Sequence, residues 1–238
     1  MLIGGSLLKW NNVYNADCLE GLRSLPSDSV DLIVTSPPYN IGNFNYAGKD
    51  IGTYFGNNMS EEAYQAWQLD VLAECFRVLK PSGSLFYNHK VRIKDGKATH
   101  PLEWLLRSEF GLKQVITWDQ AKGANSQKVR YFPFSERIYW MTKDAKVKAL
   151  NDACLTDVWR VVPTHRRSQT SHLAVMPEKI VENILDTMPA DNVLDPFAGS
   201  GTTLAVAKRY GKDFLGFEID ERYYEAIIQR LDDVVQAI

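Results

Sequence analysis

The chain has 238 residues, 45% of them apolar and 24% charged, a balance that buries a sizeable core and excludes a disordered protein. Its formal charge of −2 excludes a simple polycation, although the residues from Asp213 onward hold 7 acidic and 2 basic groups, a local −5 that leaves +3 on the rest. No stretch approaches the roughly 18 apolar residues that span a bilayer and residues 1–9 are too short for a secretory signal, so the expected setting is the cytosol, with no membrane partner.

In chain order, short runs rich in β-branched and aromatic residues recur at 13–15, 30–35, 84–88, 114–118, 137–141, 192–195 and 213–218, which predicts seven strands. Helix-period segments separate most of them. The clearest spans 60–79, where Tyr64, Trp67, Val71, Leu72, Cys75 and Leu79 recur at three- and four-residue spacing behind Ser60-Glu61-Glu62, a cap followed by acids that suit the helix dipole. Strands alternating with helices predict an α/β domain with a mostly parallel sheet covered on both faces. Two stretches break the alternation. Residues 40–59, rich in Gly, Asn and aromatics without a period, read as a long loop, functional or mobile. Residues 119–175, in which a strand returns between a Lys/Gly/Asn-rich excursion and a basic segment, read as a small basic insertion. Cys18, Cys75 and Cys154 are too few and too widely spaced for a disulfide framework or a metal site, and are expected to be buried or half-buried thiols.

Residues 192–203 read as a strand, a tight glycine turn and a helix over 202–210. Gly199 and Gly201 let the backbone turn sharply and approach a ligand closely. The turn lacks the Lys-Ser/Thr ending of a nucleotide P-loop and is no dinucleotide fingerprint. Asp195, at the carboxyl end of its strand, repels a pyrophosphate and attracts an ammonium group. Glu218 ends the next strand 23 residues on, where such a unit places a ribose-binding carboxylate. An adenosine with a cationic substituent fits this pair.

A second break follows the strand 30–35, at Ser36-Pro37-Pro38-Tyr39. The prolines lack N–H groups and fix their backbone, so the Pro37 carbonyl and the Ser36 hydroxyl face one point. Together they accept both N–H groups of an exocyclic amine, orienting its lone pair toward an electrophile while Tyr39 stacks on the attached ring. No metal is called for, and no Pro-Cys nucleophile is present to attack a ring carbon.

At these residues the chain resembles the S-adenosylmethionine-dependent DNA methyltransferases that act on exocyclic amines, cytosine-N4 or adenine-N6. Asp195, Pro196, Phe197, Ala198, Gly199, Ser200, Gly201 and Thr202 match that family's cofactor loop, Glu218 its ribose-binding acid, and Ser36, Pro37, Pro38 and Tyr39 its catalytic turn. Asp17 is similar to the acid that receives the adenine amine, or is a helix cap; His172 resembles a residue of the segment wrapping the methionine end, with Leu173 where proline is frequent. The turn precedes the cofactor loop, as in the beta subgroup, and the likeness runs from Asn15 to about Leu231. It implies a seven-stranded Rossmann-like methyltransferase sheet with helices on both faces, whose last two strands form an antiparallel hairpin. It also implies one methyltransferase domain over 1–238, with a target-recognition insertion at 120–169.

The implied substrate is double-stranded DNA with its target base flipped out, because a base within a duplex cannot reach such a pocket. Lys122, Lys128, Arg130, Arg166 and Arg167 are the candidate DNA contacts. A second basic cluster comprises Lys90, Arg92, Lys94 and Lys97, a solvated loop or a further contact. Some 50 residues make a small recognition domain, so the site read is short or a second subunit contributes; the resemblance admits a homodimer and a cognate restriction endonuclease as partners. Serine at position 36 accompanies cytosine more often in this family, aspartate adenine, so N4-methylcytosine is favoured over N6-methyladenine. RNA or a protein amide as substrate, or a non-enzymatic sensor of the cofactor, are the competing readings.

Overall fold

The computed structural model describes residues 2–3, 6–42, 45–46, 49–50, 58–94, 96–121, 131, 133–150, 152, 154–163 and 175–234. Their centre is one eight-stranded sheet built from β1 (Asn12–Asn15), β2 (Val30–Thr35), β3 (Leu79–His89), β4 (Gly111–Asp119), β5 (Ser135–Thr142), β6 (Val158–Arg160), β7 (Asn192–Asp195) and β8 (Asp213–Glu218), in the order β6-β4-β5-β3-β2-β7-β8-β1. All seven predicted strands are present. The eighth, β6, lies in the region read as irregular and pairs parallel to β4, with Trp159 opposite Trp118. Three residues with one buried side chain show no readable period.

From β3 through β1 every neighbouring pair is parallel, whereas β5 runs antiparallel to both β3 and β4. The expected terminal hairpin is therefore β4–β5. It places β5, a central strand, inside the interval 120–169. That interval is not one continuous excursion from the sheet.

Side-chain alternation along the strands divides the core in two. Leu32 and Val34 of β2 face one cluster while Ile33 faces the other. Helices α4 (Glu178–Thr187), α5 (Thr202–Arg209) and α6 (Glu221–Asp232) cover the first through Ile180, Ile184, Leu204 and Ile227. Helices α1 (Cys18–Arg23), α2 (Glu61–Val78) and α3 (Leu102–Leu105) cover the second through Leu22, Val71, Leu72 and Trp104. The predicted cap of α2 is present: Ser60 Oγ accepts from the Ala63 amide at 3.2 Å. Cys18 and Cys75 are buried, but Cys154 is exposed, contrary to the expectation for it. It sits among short-range turns near the sheet edge, where no core covers it. Among the described residues no helix is long and apolar enough to cross a membrane.

Candidate active site

The registers bring five strand ends to one edge. Glu218 lies opposite Asn15, Asp195 opposite Gly216, Leu194 opposite Ile33, and Thr35 opposite Tyr87. The carboxyl ends of β1, β8, β7, β2 and β3 thus form a continuous rim, and the glycine turn and the Ser36 turn leave from adjacent strands. Ligands of open α/β sheets bind at such a rim.

On the β7 side, Gly199 and Gly201 have φ of +52° and +73°, the left-handed region that glycine enters freely. A Cβ on Gly201 would also stand 2.9 Å from Ile227 Cγ2. The Gly199 amide donates to Glu218 Oε2 at 2.7 Å, and the Asp220 amide to Oε1 at 2.9 Å. These bonds tie the Glu218 carboxylate to the turn itself. A carboxylate has about four acceptor sites, so two remain for ligand hydroxyls. Burial raises the Glu218 pKa, opposed by the two amide bonds.

Asp195 is only 3% exposed. Its Oδ1 accepts from Thr35 Oγ1 at 2.7 Å and from the Phe197 amide at 3.1 Å. Burial pushes its pKa up to about 6 against the lowering effect of those bonds. Among the described residues no lysine or arginine forms an ion pair with it. A buried acid without a cation, a glycine cradle and a spare-acceptor carboxylate 23 residues on fit an adenosine bearing positive charge. S-Adenosylmethionine therefore fits this rim. Asp17 is a helix cap: its Oδ1 accepts from the Leu19 and Glu20 amides at 2.9 and 3.2 Å. His172 lies outside the described residues.

On the β2 side the turn is held by partners that sequence reading missed. The hydroxyls of Ser36 and Tyr39 lie 2.8 Å apart, and Asn88 Oδ1 at the end of β3 accepts from both, at 3.2 and 2.8 Å. The Asn88 amide orientation is fixed because its Nδ2 donates to the Arg137 carbonyl at 3.1 Å. The single Tyr39 hydroxyl proton is shared between Asn88 Oδ1 and Glu136 Oε2, the latter 2.9 Å from Oη, and burial, reinforced by the Glu136 charge, raises the Tyr39 pKa well above the usual phenol value. The Tyr39 ring lies 4.6 Å from His89, tilted by 41°, with Lys90 Nζ 5.1 Å from its centroid.

Behind the turn, Tyr64 Oη is 2.6 Å from the Pro38 carbonyl and 2.8 Å from His89 Nε2. His89 Nδ1 lies 2.8 Å from the Lys90 carbonyl, which can only accept, so Nδ1 carries the ring proton. Burial lowers the His89 pKa to about 3, keeping the ring neutral and its Nε2 an acceptor. The single Tyr64 proton is then shared between Nε2 and the Pro38 carbonyl. Arg92 fixes Tyr64 from the other side, 4.8 Å from its ring centroid and bidentate to Glu61 at 2.7 and 2.8 Å. At 8% exposure Arg92 serves this buried support, not a solvated basic loop.

The remaining sequence candidates separate from this group. Lys122, Lys128, Arg130, Arg166 and Arg167 lie outside the described residues, as does most of 40–59. The base of that loop is closed by Asn40, which exchanges two hydrogen bonds with the Met59 backbone at 2.8 and 3.1 Å. Polar residues ending a buried strand, as in Tyr87-Asn88-His89, were the available signal for β3. Nothing local marks Glu136.

Residues 30–230 match the family described as DNA methylase. The chain belongs to that family. It is an S-adenosylmethionine-dependent amino-methyltransferase of DNA, of the N4/N6 kind. Among its relatives, Type II methyltransferase M.BglII of Bacillus subtilis is 32% identical over 93% of this chain and 69% of its own length. DNA adenine methyltransferase YhdJ of Escherichia coli K12 is 31% identical over 92% and 82%. In fold the family member is similar to the cytosine-N4-specific PvuII DNA methyltransferase, with a TM-score of 0.77 at 24% identity over 94% and 88% of the two chains. The M1.HpyAVI–SAM complex gives 0.65 at 20% identity over 93% and 98%.

Proposed function

We propose that this enzyme methylates N4 of a cytosine flipped out of double-stranded DNA. The observation that carries the site assignment is the bond from Thr35 Oγ1 to Asp195 Oδ1, which joins the residue before Ser36 to the acid that opens the glycine turn. Amine and methyl donor then meet across one hydrogen bond at the junction of β2 and β7. S-Adenosylmethionine, when bound, supplies an electrophilic methyl group on a positively charged sulfur. Asp195 would face its positive charge, Glu218 would accept from the ribose, and the backbone of Phe197–Gly201 would line the site. Asp17, with Oδ1 engaged as a cap, would offer its second oxygen to the adenine amine, and His172 would act at the methionine end.

Ser36 Oγ and the Pro37 carbonyl accept the two N–H groups of the target amine, and Tyr39 stacks on the base. A neutral hydroxyl at position 36 supports cytosine, in line with the fold neighbour named cytosine-N4-specific. Adenine-N6 is the second reading, supported by the relative named an adenine methyltransferase. Lys122, Lys128, Arg130, Arg166 and Arg167 contact the DNA from the segments on either side of β5. Relatives named Type II methyltransferases support a restriction–modification setting in the cytoplasm, with a cognate endonuclease as a further partner; a homodimer would supply the recognition surface that a small insertion lacks. Nucleoside mass spectrometry of DNA from cells expressing the chain is the test. N4-methylcytosine is the expected product; N6-methyladenine alone overturns the choice of base and leaves the enzyme class standing.

A further inference from the structure

We propose that Glu136 is a positioning residue that receives the proton released by the target amine, through Tyr39 and Ser36. The proposal rests on the Ser36 turn being the amine site. Methylation forms an N–C bond and breaks a C–S bond, whose electron pair stays on sulfur, so the nitrogen must shed one proton. A serine hydroxyl is no sink for it, since it can only pass one proton on while taking another. Asn88, an amide, cannot hold it either.

The hydrogen bonds lead to a group that can. The Ser36 and Tyr39 hydroxyls lie 2.8 Å apart, either able to donate, and Tyr39 Oη lies 2.9 Å from Glu136 Oε2. With the Ser36 proton turned to Tyr39 and the Tyr39 proton turned to Glu136 instead of to Asn88 Oδ1, the links run from the amine to the carboxylate. Passing one proton along each link leaves a neutral methylated amine, unchanged hydroxyls and a protonated Glu136. Burial disfavours a free tyrosinate, so Tyr39 must give and take its proton together. Glu136 itself is half-buried, with a route to solvent for returning the proton. It reaches this place because β5 runs antiparallel to β3, with Ile138 opposite Asn88 and Arg137 opposite His89.

The test uses the full chain, tritiated S-adenosylmethionine and DNA from a methylation-deficient strain. Glu136→Gln and Tyr39→Phe should each lower the single-turnover methylation rate about 10²-fold, the scale of positioned acid–base groups. Cofactor and DNA dissociation constants should stay unchanged, and Glu136→Asp should recover part of the rate. The double variant should lose no more than either single one, because both cut the same path. Parental rates in the single variants, or losses that multiply in the double variant, overturn the relay. Should Glu136→Gln fail to fold, Tyr39→Phe alone decides. A parent chain that leaves all DNA unmethylated sinks the amine-site assignment together with the relay, whereas an active parent with equally active variants sinks the relay alone.

Discussion

Acidification should weaken S-adenosylmethionine binding through one buried side chain. Asp195 has a pKa near 6 in the ligand-free protein, raised from 3.8 by burial. It is therefore about nine-tenths ionised at pH 7 and about one-tenth at pH 5. A positively charged ligand facing it binds the ionised form, so affinity should fall about tenfold over that interval, or about 1.4 kcal/mol. The sign for folding is opposite. A carboxyl whose folded pKa lies above its unfolded value stabilises the native state below the unfolded pKa, and that stability, up to about 3 kcal/mol, is lost as pH rises through about 6. Titration calorimetry at pH 7 and pH 5, at constant ionic strength, measures the affinity change, with Asp195→Asn as the flat control. Equal affinity at both values, or the same slope in Asp195→Asn, would refute the placement of the cofactor's charge beside Asp195.

Glu218→Ala should weaken cofactor binding by at least tenfold, since it removes two ribose acceptors worth roughly 1.5–3 kcal/mol each and also frees the Gly199 amide; calorimetry on the folded variant checks it. Tyr39→Ala should lose most turnover yet bind cofactor, and filter-binding with labelled S-adenosylmethionine beside a methylation assay separates the two. Gly201→Ala should cost about 1–3 kcal/mol of stability, because φ of +73° and a Cβ 2.9 Å from Ile227 are both unfavourable; urea denaturation measures it.

Legibility in the sequence follows the distance over which each feature is encoded. The glycine turn and the Ser36-Pro37-Pro38-Tyr39 turn are contiguous strings whose backbone demands are local, and their strands and the α2 cap are equally local. Glu136 is 97 residues from Tyr39, and its placement depends on the β3–β5 register. A slip of one residue there would turn it to the opposite face, and no local pattern reports that register. Arg92 misleads for the same reason: beside Lys90 and Lys97 it reads as a basic patch, yet its partner Glu61 lies 31 residues away on α2. Asp17 shows the converse. Its local cap is legible and correct as structure, while any adenine contact needs β1 to lie beside β8, which only the sheet order supplies.

The two half-sites are mechanically one object. Thr35, the residue before Ser36, binds Asp195, and Trp67 of α2 packs on Phe197 of the glycine turn with centroids 5.6 Å apart. Tyr64, one turn earlier on α2, holds the Pro38 carbonyl. A single helix therefore touches both turns, so a displacement of α2 moves the Ser36 turn and the glycine turn together. In-line transfer requires the nitrogen and the methyl carbon to approach within about 3–3.5 Å, and a misplacement of about 1 Å can cost 10²-fold in rate. Shared supports preserve that separation where independent ones would let their errors add. On the proposed assignment of the two turns, the reaction's geometric demand thus falls on the β2–β7 junction and α2.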